Sequence, residues 1–273
     1  MVDANFAAAI ARHAAPDEHS LILEVGPGTG CLTKALLEAH PASRILAIEI
    51  DRGLAAWLRE EFAGDIQRRR LTLLEGDVLS GKHEISPAFL EAALQISAKD
   101  GRQKRILCSN LPYHVATPVL ANLAADQSGA MASGLQPSCA IATIQLELAE
   151  RILAKPGGDS YGALSVFMAL RTEGKIVRRV GCEVFWPRPQ IESAVISLRF
   201  KSWEPESGLS LRRDEVPSFQ AFLQKLFSQR RKTLRAVLKP FVIPVELGLH
   251  ADARAEELGA GGLLALFRKS LFQ

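Results

Sequence analysis

The sequence predicts an α/β protein with a Rossmann-like, doubly wound and mostly parallel sheet, followed by a small C-terminal α-helical domain. Three observations carry this. Short aliphatic runs alternate with helically spaced segments, a glycine-rich turn follows the first of those runs, and past residue 200 the strand-like runs give way to helical spacing. Alternating strands and helices favour a parallel sheet covered on both faces.

Taken in order, "LILEV" (Leu21 to Val25) and "RILAIEI" (Arg44 to Ile50) read as buried strands, and "CLTKALLEA" between them has helical spacing. "LTLLEGD" and "RILCSN" are two further short strands, and "SCAIATIQL" is a fifth. The stretch from Ser80 to Arg105 holds an apolar helix-like piece, "PAFLEAAL", and reads as an insertion beside the sheet, serving as an RNA contact or as a surface insertion of a kind that loops accept cheaply. After Gly174 two β-rich runs, "KIVRRVGCEVF" and "ESAVISLRF", are joined by "WPRPQ", whose prolines suit a stiff extended link better than a crossover helix. They are expected to close one edge of the sheet as a hairpin-like pair. Residues 201–273 begin with the linker-like "KSWEPESGLSLRRDEVP" and continue as helical patterns at 218–239, 253–258 and 262–271. The expected domains are 1–200 and 201–273.

Composition narrows the setting. Of 273 residues 48% are apolar and 23% charged, which is ordinary for a folded chain. No run of 18 apolar residues is present and the N-terminus has no basic-then-apolar signal pattern, so a cytoplasmic protein is expected. Cys31, Cys108, Cys139 and Cys182 form no CxxC pair; they are expected to be reduced and buried, and no metal site is expected. The net charge of +3 hides an asymmetry, because residues 1–200 carry 21 basic against 22 acidic side chains and residues 201–273 carry 12 against 8. Six basic residues and no acid lie in "KLFSQRRKTLRAVLK", Lys225 to Lys239. A solvated helix face accounts for such a run, and so does a phosphate-binding surface made by Lys225, Arg230, Arg231, Lys232 and Arg235 as a group.

"LEVGPGTG" sets Gly26, Gly28 and Gly30 between the first strand and the helix after it, where the chain turns sharply and its backbone can approach a ligand. By itself such a turn serves a dinucleotide site or a purely structural strand-to-helix connection equally well. Its neighbours narrow the choice. Glu24 precedes the glycines, and Glu49 ends the second strand, where a carboxylate accepts both hydroxyls of a ribose. Asp77 and the Val78 N–H follow the third strand, where an acid and an amide can read an adenine's amino group and ring nitrogen. Ribose and adenine contacts without a second nucleotide half point to S-adenosylmethionine and away from a nicotinamide oxidoreductase. Each acid alone is equally consistent with a solvated strand end; their joint placement carries the reading.

Asn110-Leu111-Pro112-Tyr113 closes the fourth strand, at the end of the sheet where open α/β folds bind ligands. The exocyclic amine of a base is a poor nucleophile because its lone pair is delocalised into the ring. The Asn110 oxygen and the Leu111 carbonyl can accept its two N–H bonds and favour a tetrahedral nitrogen. Pro112 has no N–H to redirect that carbonyl, and Tyr113 can stack on the base. No strong base is required, since the proton becomes acidic once the nitrogen is alkylated, so His114 reads as a residue at a helix start. A turn that merely ends a strand is the plainer reading of the same four residues. Trp186 and Trp203 are candidates for stacking on RNA or for packing.

Together these motifs resemble those of the ribosomal RNA adenine N6-dimethyltransferases, the KsgA family, which is related to the Erm methyltransferases. "LEVGPGTGCLTKALLEA", "AIEID", "EGDVL" and "NLPYHVATPVL" fall in the family's order. The likeness continues through "LELAERILAKPGGDSYGALSV", "VFWPRPQIESAVISL" and "FSQRRKTLRAVL" to "RAEEL". The resemblance implies a class I S-adenosylmethionine-dependent methyltransferase fold. It implies that Glu24, Gly26 and Gly28 line the methionine side of the cofactor, that Glu49 holds the ribose and that Asp77 and Val78 hold the adenine. Asn110, counted with the cofactor contacts too, would position a target adenine with Leu111, Pro112 and Tyr113, and Phe185 would stack on the other face of that base.

The implied activity is dimethylation of adenine N6 in small-subunit rRNA during subunit maturation, by a monomer acting on an assembling particle through its C-terminal helical domain. "NLPY", "YGALSV" and "FSQRRKTLRAVL" are more similar to the small-subunit enzymes than to the Erm enzymes of large-subunit rRNA. An Erm-type enzyme and a non-catalytic RNA-binding assembly factor are the alternatives. In the family a segment reading approximately Gly-Gln-Asn-Phe-Leu precedes the first helix and covers the cofactor. Here "MVDANFAAAIARHA" matches only the residues on the C-terminal side of that segment, so the cover is expected to be shortened or absent.

Overall fold

The structure, a computed structural model, describes residues 3–14, 19–81, 84–100, 104–126, 135–185, 190–203, 210–239, 250 and 252–270. The chain opens with α1 (Ala4–Ala14), whose first turn is capped by the Asp3 carboxylate accepting the Phe6 N–H at 2.9 Å. β1 (Leu21–Val25), α2 (Cys31–Ala39), β2 (Arg44–Glu49), α3 (Arg52–Glu61), the short α4 (Ala63–Gln67) and β3 (Leu71–Glu75) follow. An antiparallel pair, β4 (Leu79–Ser80) and β5 (Glu84–Ile85), precedes α5 (Pro87–Asp100). Next come β6 (Arg105–Asn110), α6 (Tyr113–Ala125), β7 (Cys139–Gln145), α7 (Leu146–Ile152), α8 (Ala163–Arg171), β8 (Thr172–Val180) and β9 (Ser193–Phe200). The last stretch holds α9 (Val216–Phe227), α10 (Leu234–Leu238) and α11 (Ala260–Ser270).

The main sheet has the order β3-β2-β1-β6-β7-β9-β8; its first five strands are parallel and β9 runs antiparallel to β7. The expected doubly wound sheet and its edge pair are both present. Winding reverses between β1 and β6, and because parallel crossovers are right-handed, the helices on either side of that reversal cover opposite faces. On one face α1 and α2 bury Phe6, Ile10 and Leu36 against Ile22, Ile106 and Ile141.

The stretch from Ser80 to Arg105 is not an insertion beside the sheet. Its helix, α5, is the crossover that carries the chain from the β3 side to β6; Phe89, Leu90 and Ala93 are buried, and the helix lies against β1 and β2. A parallel connection needs such a crossover, whatever loop-like residues flank it. The cysteines also differ from expectation: all four are free thiols, but only Cys108 is buried, and the others are half-buried. Among the described residues no group of three His, Cys, Asp or Glu side chains is placed to hold a metal ion, and no helix is long and apolar enough to cross a membrane.

Backbone proximity divides the chain into two compact units, Met1–Ala149 with Gly174–Phe200, and Glu150–Glu173 with Lys201–Gln273. The second unit takes in α8 and the loop before it together with the C-terminal helices, and α8 packs on α9 and α11. Within the second unit Phe219 and Phe267 meet with ring centroids 5.2 Å apart. The buried Glu215 carboxylate accepts from Arg268 at 2.9 Å. Burial works to raise the Glu215 pKa, but the bonds from Arg268 and the Arg212 N–H, with the two charges, outweigh it and hold it low. The buried Arg171 donates to the carbonyls of Lys201 and Ser202 and lies 3.5 Å above the Trp203 ring, which makes Trp203 a packing residue. Trp186 lies outside the described residues.

Candidate functional site

Beyond Val25 the chain reverses within a few residues. Gly26, Gly28 and Gly30 have φ of 66°, 60° and 76°, the left-handed region that glycine adopts without strain. A Cβ on Gly30 would lie 2.6 Å from Phe62, and one on Gly26 would press on the Pro112 ring at 3.1 Å. Gly28 differs, because a Cβ there meets nothing within 4 Å and the backbone borders open space. The Gly28 N–H donates to Glu49 Oε2 at 2.9 Å, and the Asp51 N–H donates to Glu49 Oε1 at 3.0 Å. Glu49 therefore holds the turn against the end of β2, and each oxygen retains a second lone pair for a diol.

Glu24 is 1% exposed and accepts from Thr33 Oγ1 at 2.8 Å. Burial pushes its carboxyl up to about 8 against the Thr33 hydrogen bond, with the neighbouring Glu49 charge adding to the rise. Thr33 has no mark in the sequence beyond a hydroxyl one turn into a helix. At the end of β3 the Gly76 N–H donates to the Glu49 carbonyl at 2.8 Å, which seats Asp77 and Val78 beside the end of β2. Asp77 is exposed and accepts the Leu79 N–H at 2.9 Å, while Val78 is buried. An open turn, a strand-end carboxylate with spare lone pairs and a second acid beside it fit a nucleoside ligand such as S-adenosylmethionine.

The sheet opens at its reversal. β1 pairs with β6 only over Leu21–Leu23, although β6 goes on pairing with β7 as far as Asn110. Ser109 bridges the gap: its Oγ donates to the Val25 carbonyl at 2.7 Å and accepts the Val25 N–H at 3.2 Å. This strut joins the strand that carries the glycine turn to the one that carries Asn110, and a lone hydroxyl in "ILCSN" is its only trace in the sequence. Ser109→Ala strands both Val25 groups in a buried position and is expected to cost about 2–3 kcal/mol. The check is urea unfolding, where the midpoint should fall at an unchanged slope.

Leu111 is buried, and its N–H donates to the Thr143 carbonyl at 3.1 Å. Pro112 precedes α6 and its carbonyl accepts the Val115 and Ala116 N–H groups at 3.1 Å. Its ring is the neighbour that Gly26 accommodates, so the glycine turn and the tetrapeptide abut directly. Tyr113 is 39% exposed, with its hydroxyl 3.2 Å from Ser193 Oγ. His114 is exposed in the first turn of α6. Phe185 is half-buried and packs edge-to-face on Phe6 with centroids 6.3 Å apart, so α1 sets its ring orientation.

In the second unit Lys225, Arg231, Lys232 and Arg235 are exposed, the last 3.8 Å from Asp252. Arg230 is employed differently from its neighbours. It donates to the carbonyls of Tyr161 at 2.7 Å and Asp159 at 3.3 Å and pairs with Glu256 at 3.3 Å, so it straps the 159–161 loop and is not a free phosphate donor.

A parallel sheet that reverses between β1 and β6, with a glycine turn and strand-end acids on one side and Asn-Leu-Pro-Tyr on the other, defines a Rossmann-like methyltransferase. The same fold is found in a dimethyladenosine transferase from Plasmodium falciparum (TM-score 0.73, 22% identity, 99% of this chain and 98% of that one). It is found too in the 23S rRNA methyltransferase ErmE (TM-score 0.67, 21% identity, 99% and 98%). The chain belongs to the ribosomal RNA adenine dimethylase family, whose sequence profile matches residues 1–250. It is 36% identical over 256 residues, 90% of this chain and 84% of the relative, to the ribosomal RNA small subunit methyltransferase A of Synechococcus sp. strain CC9902. The family expected from the motifs is thus the family found.

Proposed function

We propose that the chain uses S-adenosylmethionine to dimethylate N6 of adenines in small-subunit rRNA during maturation of the subunit. Membership of the dimethylase family supports the reaction, and the name of its relative supports the choice of subunit. The observation that supports the mechanism is the Pro112 ring seated against Gly26, where an added Cβ would come within 3.1 Å of it, so that the Asn110 to Tyr113 stretch borders the glycine turn.

S-adenosylmethionine supplies an electrophilic sulfonium methyl. The residues of this chain contribute binding and orientation. Glu49 offers its remaining lone pairs to a ribose, Asp77 and the Val78 N–H read the cofactor's adenine, and Glu24, Gly26 and Gly28 line the methionine side. Asn110 Oδ1 and the Leu111 carbonyl accept the two N–H bonds of the target amine, which draws its lone pair out of conjugation and aims it. That carbonyl is steadied from both sides, by the Leu111 N–H bound to Thr143 and by Pro112 entering α6. Tyr113 stacks on one face of the base and Phe185 on the other. The proton of the alkylated nitrogen leaves to water, and the second transfer reuses the same contacts with one N–H fewer. We place this activity in the cytoplasm, carried out by a monomer on an assembling particle.

Labelled cofactor and immature small subunits lacking the modification provide the test. The expected product is N6,N6-dimethyladenine in small-subunit rRNA. Label confined to large-subunit rRNA would establish the Erm-type alternative, and no label where another family member is active would leave a binding factor.

The exposed Lys225, Arg231 and Lys232 serve as phosphate contacts. Changing all three to Ala is expected to weaken rRNA binding and to flatten the slope of log K against log salt by about 2–3. Filter binding across a salt series measures this, and an unaltered slope would place the RNA surface elsewhere.

A further inference from the structure

Asn110 stands beside Thr143 in the parallel register of β6 and β7. Side chains alternate between faces along a strand, so Asn110 continues the row of Ile106 and Cys108, and Thr143 continues the row of Cys139 and Ile141. Both rows pack in the cluster that α1 covers. Neighbouring strands lie about 4.8 Å apart, which makes the two side chains adjacent. Thr143 is 2% exposed, and its Oγ1 is buried without a hydrogen-bond partner. Valine would fill the same volume without that unfavourable burial, so the hydroxyl asks for a function.

We infer that Thr143 is a positioning residue that fixes which end of the Asn110 amide faces the target amine. The inference rests on the proposed methyl transfer, because it concerns the orientation of Asn110 in that reaction. The amide has two N–H donors and an acceptor oxygen, and an amine presenting N–H bonds needs only the oxygen. The two groups are adjacent but not bonded in this structure; once the Asn110 amide turns so that Nδ2 donates to the unpaired Thr143 Oγ1, Oδ1 is directed away from β7 and the amide cannot flip to set its own N–H groups against those of the amine. The Thr143 carbonyl already accepts the Leu111 N–H at 3.1 Å, so one residue steadies both acceptors of the amine.

Thr143→Val keeps the shape and removes the hydroxyl. Turnover on immature small subunits is expected to fall about tenfold. Cofactor affinity by calorimetry and the KM for the subunit should be unchanged, the melting temperature unchanged or raised, and Thr143→Ser should restore turnover. A valine variant as fast as the wild type overturns this role. Equal losses in the valine and serine variants also overturn it, since they would mark packing alone. A wild type that transfers no methyl where another family member does overturns the proposed function and this role together, a result distinct from the other two.

Discussion

Asn110→Ala is expected to lower methyl transfer by about a hundred- to a thousandfold while leaving S-adenosylmethionine affinity nearly unchanged. In the proposed mechanism the amide oxygen acts on the target amine, whose lone pair must leave conjugation before it can attack, and that demand exists only on the way to the transition state. Loss of the oxygen therefore lowers turnover with little effect on ground-state binding. The fold should tolerate the change. Asn110 is the last residue of β6, half-buried, and the backbone around it is held by the Ser109 strut and the Leu111 N–H. Single-turnover transfer and calorimetry on the same preparation check both halves of the expectation. Equal losses in the two measurements would assign Asn110 to the cofactor instead.

The second large effect is a fall in stability with rising pH that traces to Glu24. Its carboxyl is pushed from 4.5 up to about 8 by burial, so the folded chain keeps a proton that the unfolded chain releases. The contribution is fully present below pH 4.5 and is lost as pH rises through about 8, a change on the order of a few kcal/mol. Glu24→Gln keeps an oxygen for the Thr33 hydroxyl and removes the ionisation. Urea midpoints at about pH 5 and about pH 8.5 should differ less in the variant than in the wild type, and equal differences would exclude Glu24 as the source. The same linkage reaches the ligand. In the proposed site a cationic methionine group beside Glu24 would favour the carboxylate, so binding near neutral pH should release a proton, seen as a buffer-dependent heat in calorimetry.

The RNA-binding expectation shows how far a run of charge can be read. "SQRRK" presents three adjacent cations of equal standing, yet Arg230 is spent on two backbone carbonyls and Glu256, while Arg231 and Lys232 face solvent. Nothing local distinguishes them. The difference arises from a distant loop that folds against this turn, with Tyr161 and Arg230 separated by 69 positions.

By itself the sequence determined the parts set by near neighbours in the chain. Short aliphatic runs placed the strands, helical spacing placed α2 and α9, the glycines marked the turn after β1, and Asn110 to Tyr113 announced the end of β6. These are matters of period and turn chemistry, which a few residues settle among themselves. Only the tertiary structure decided that α5 is a crossover, that residues 150–173 join the C-terminal helices, and that Ser109 replaces a missing ladder bond to Val25 across 84 positions. Only it left the Thr143 hydroxyl unpaired beside Asn110. Each of these depends on which distant backbone or side chain stands opposite. That is fixed by strand order and register once the whole sheet has assembled, and no window of sequence contains it.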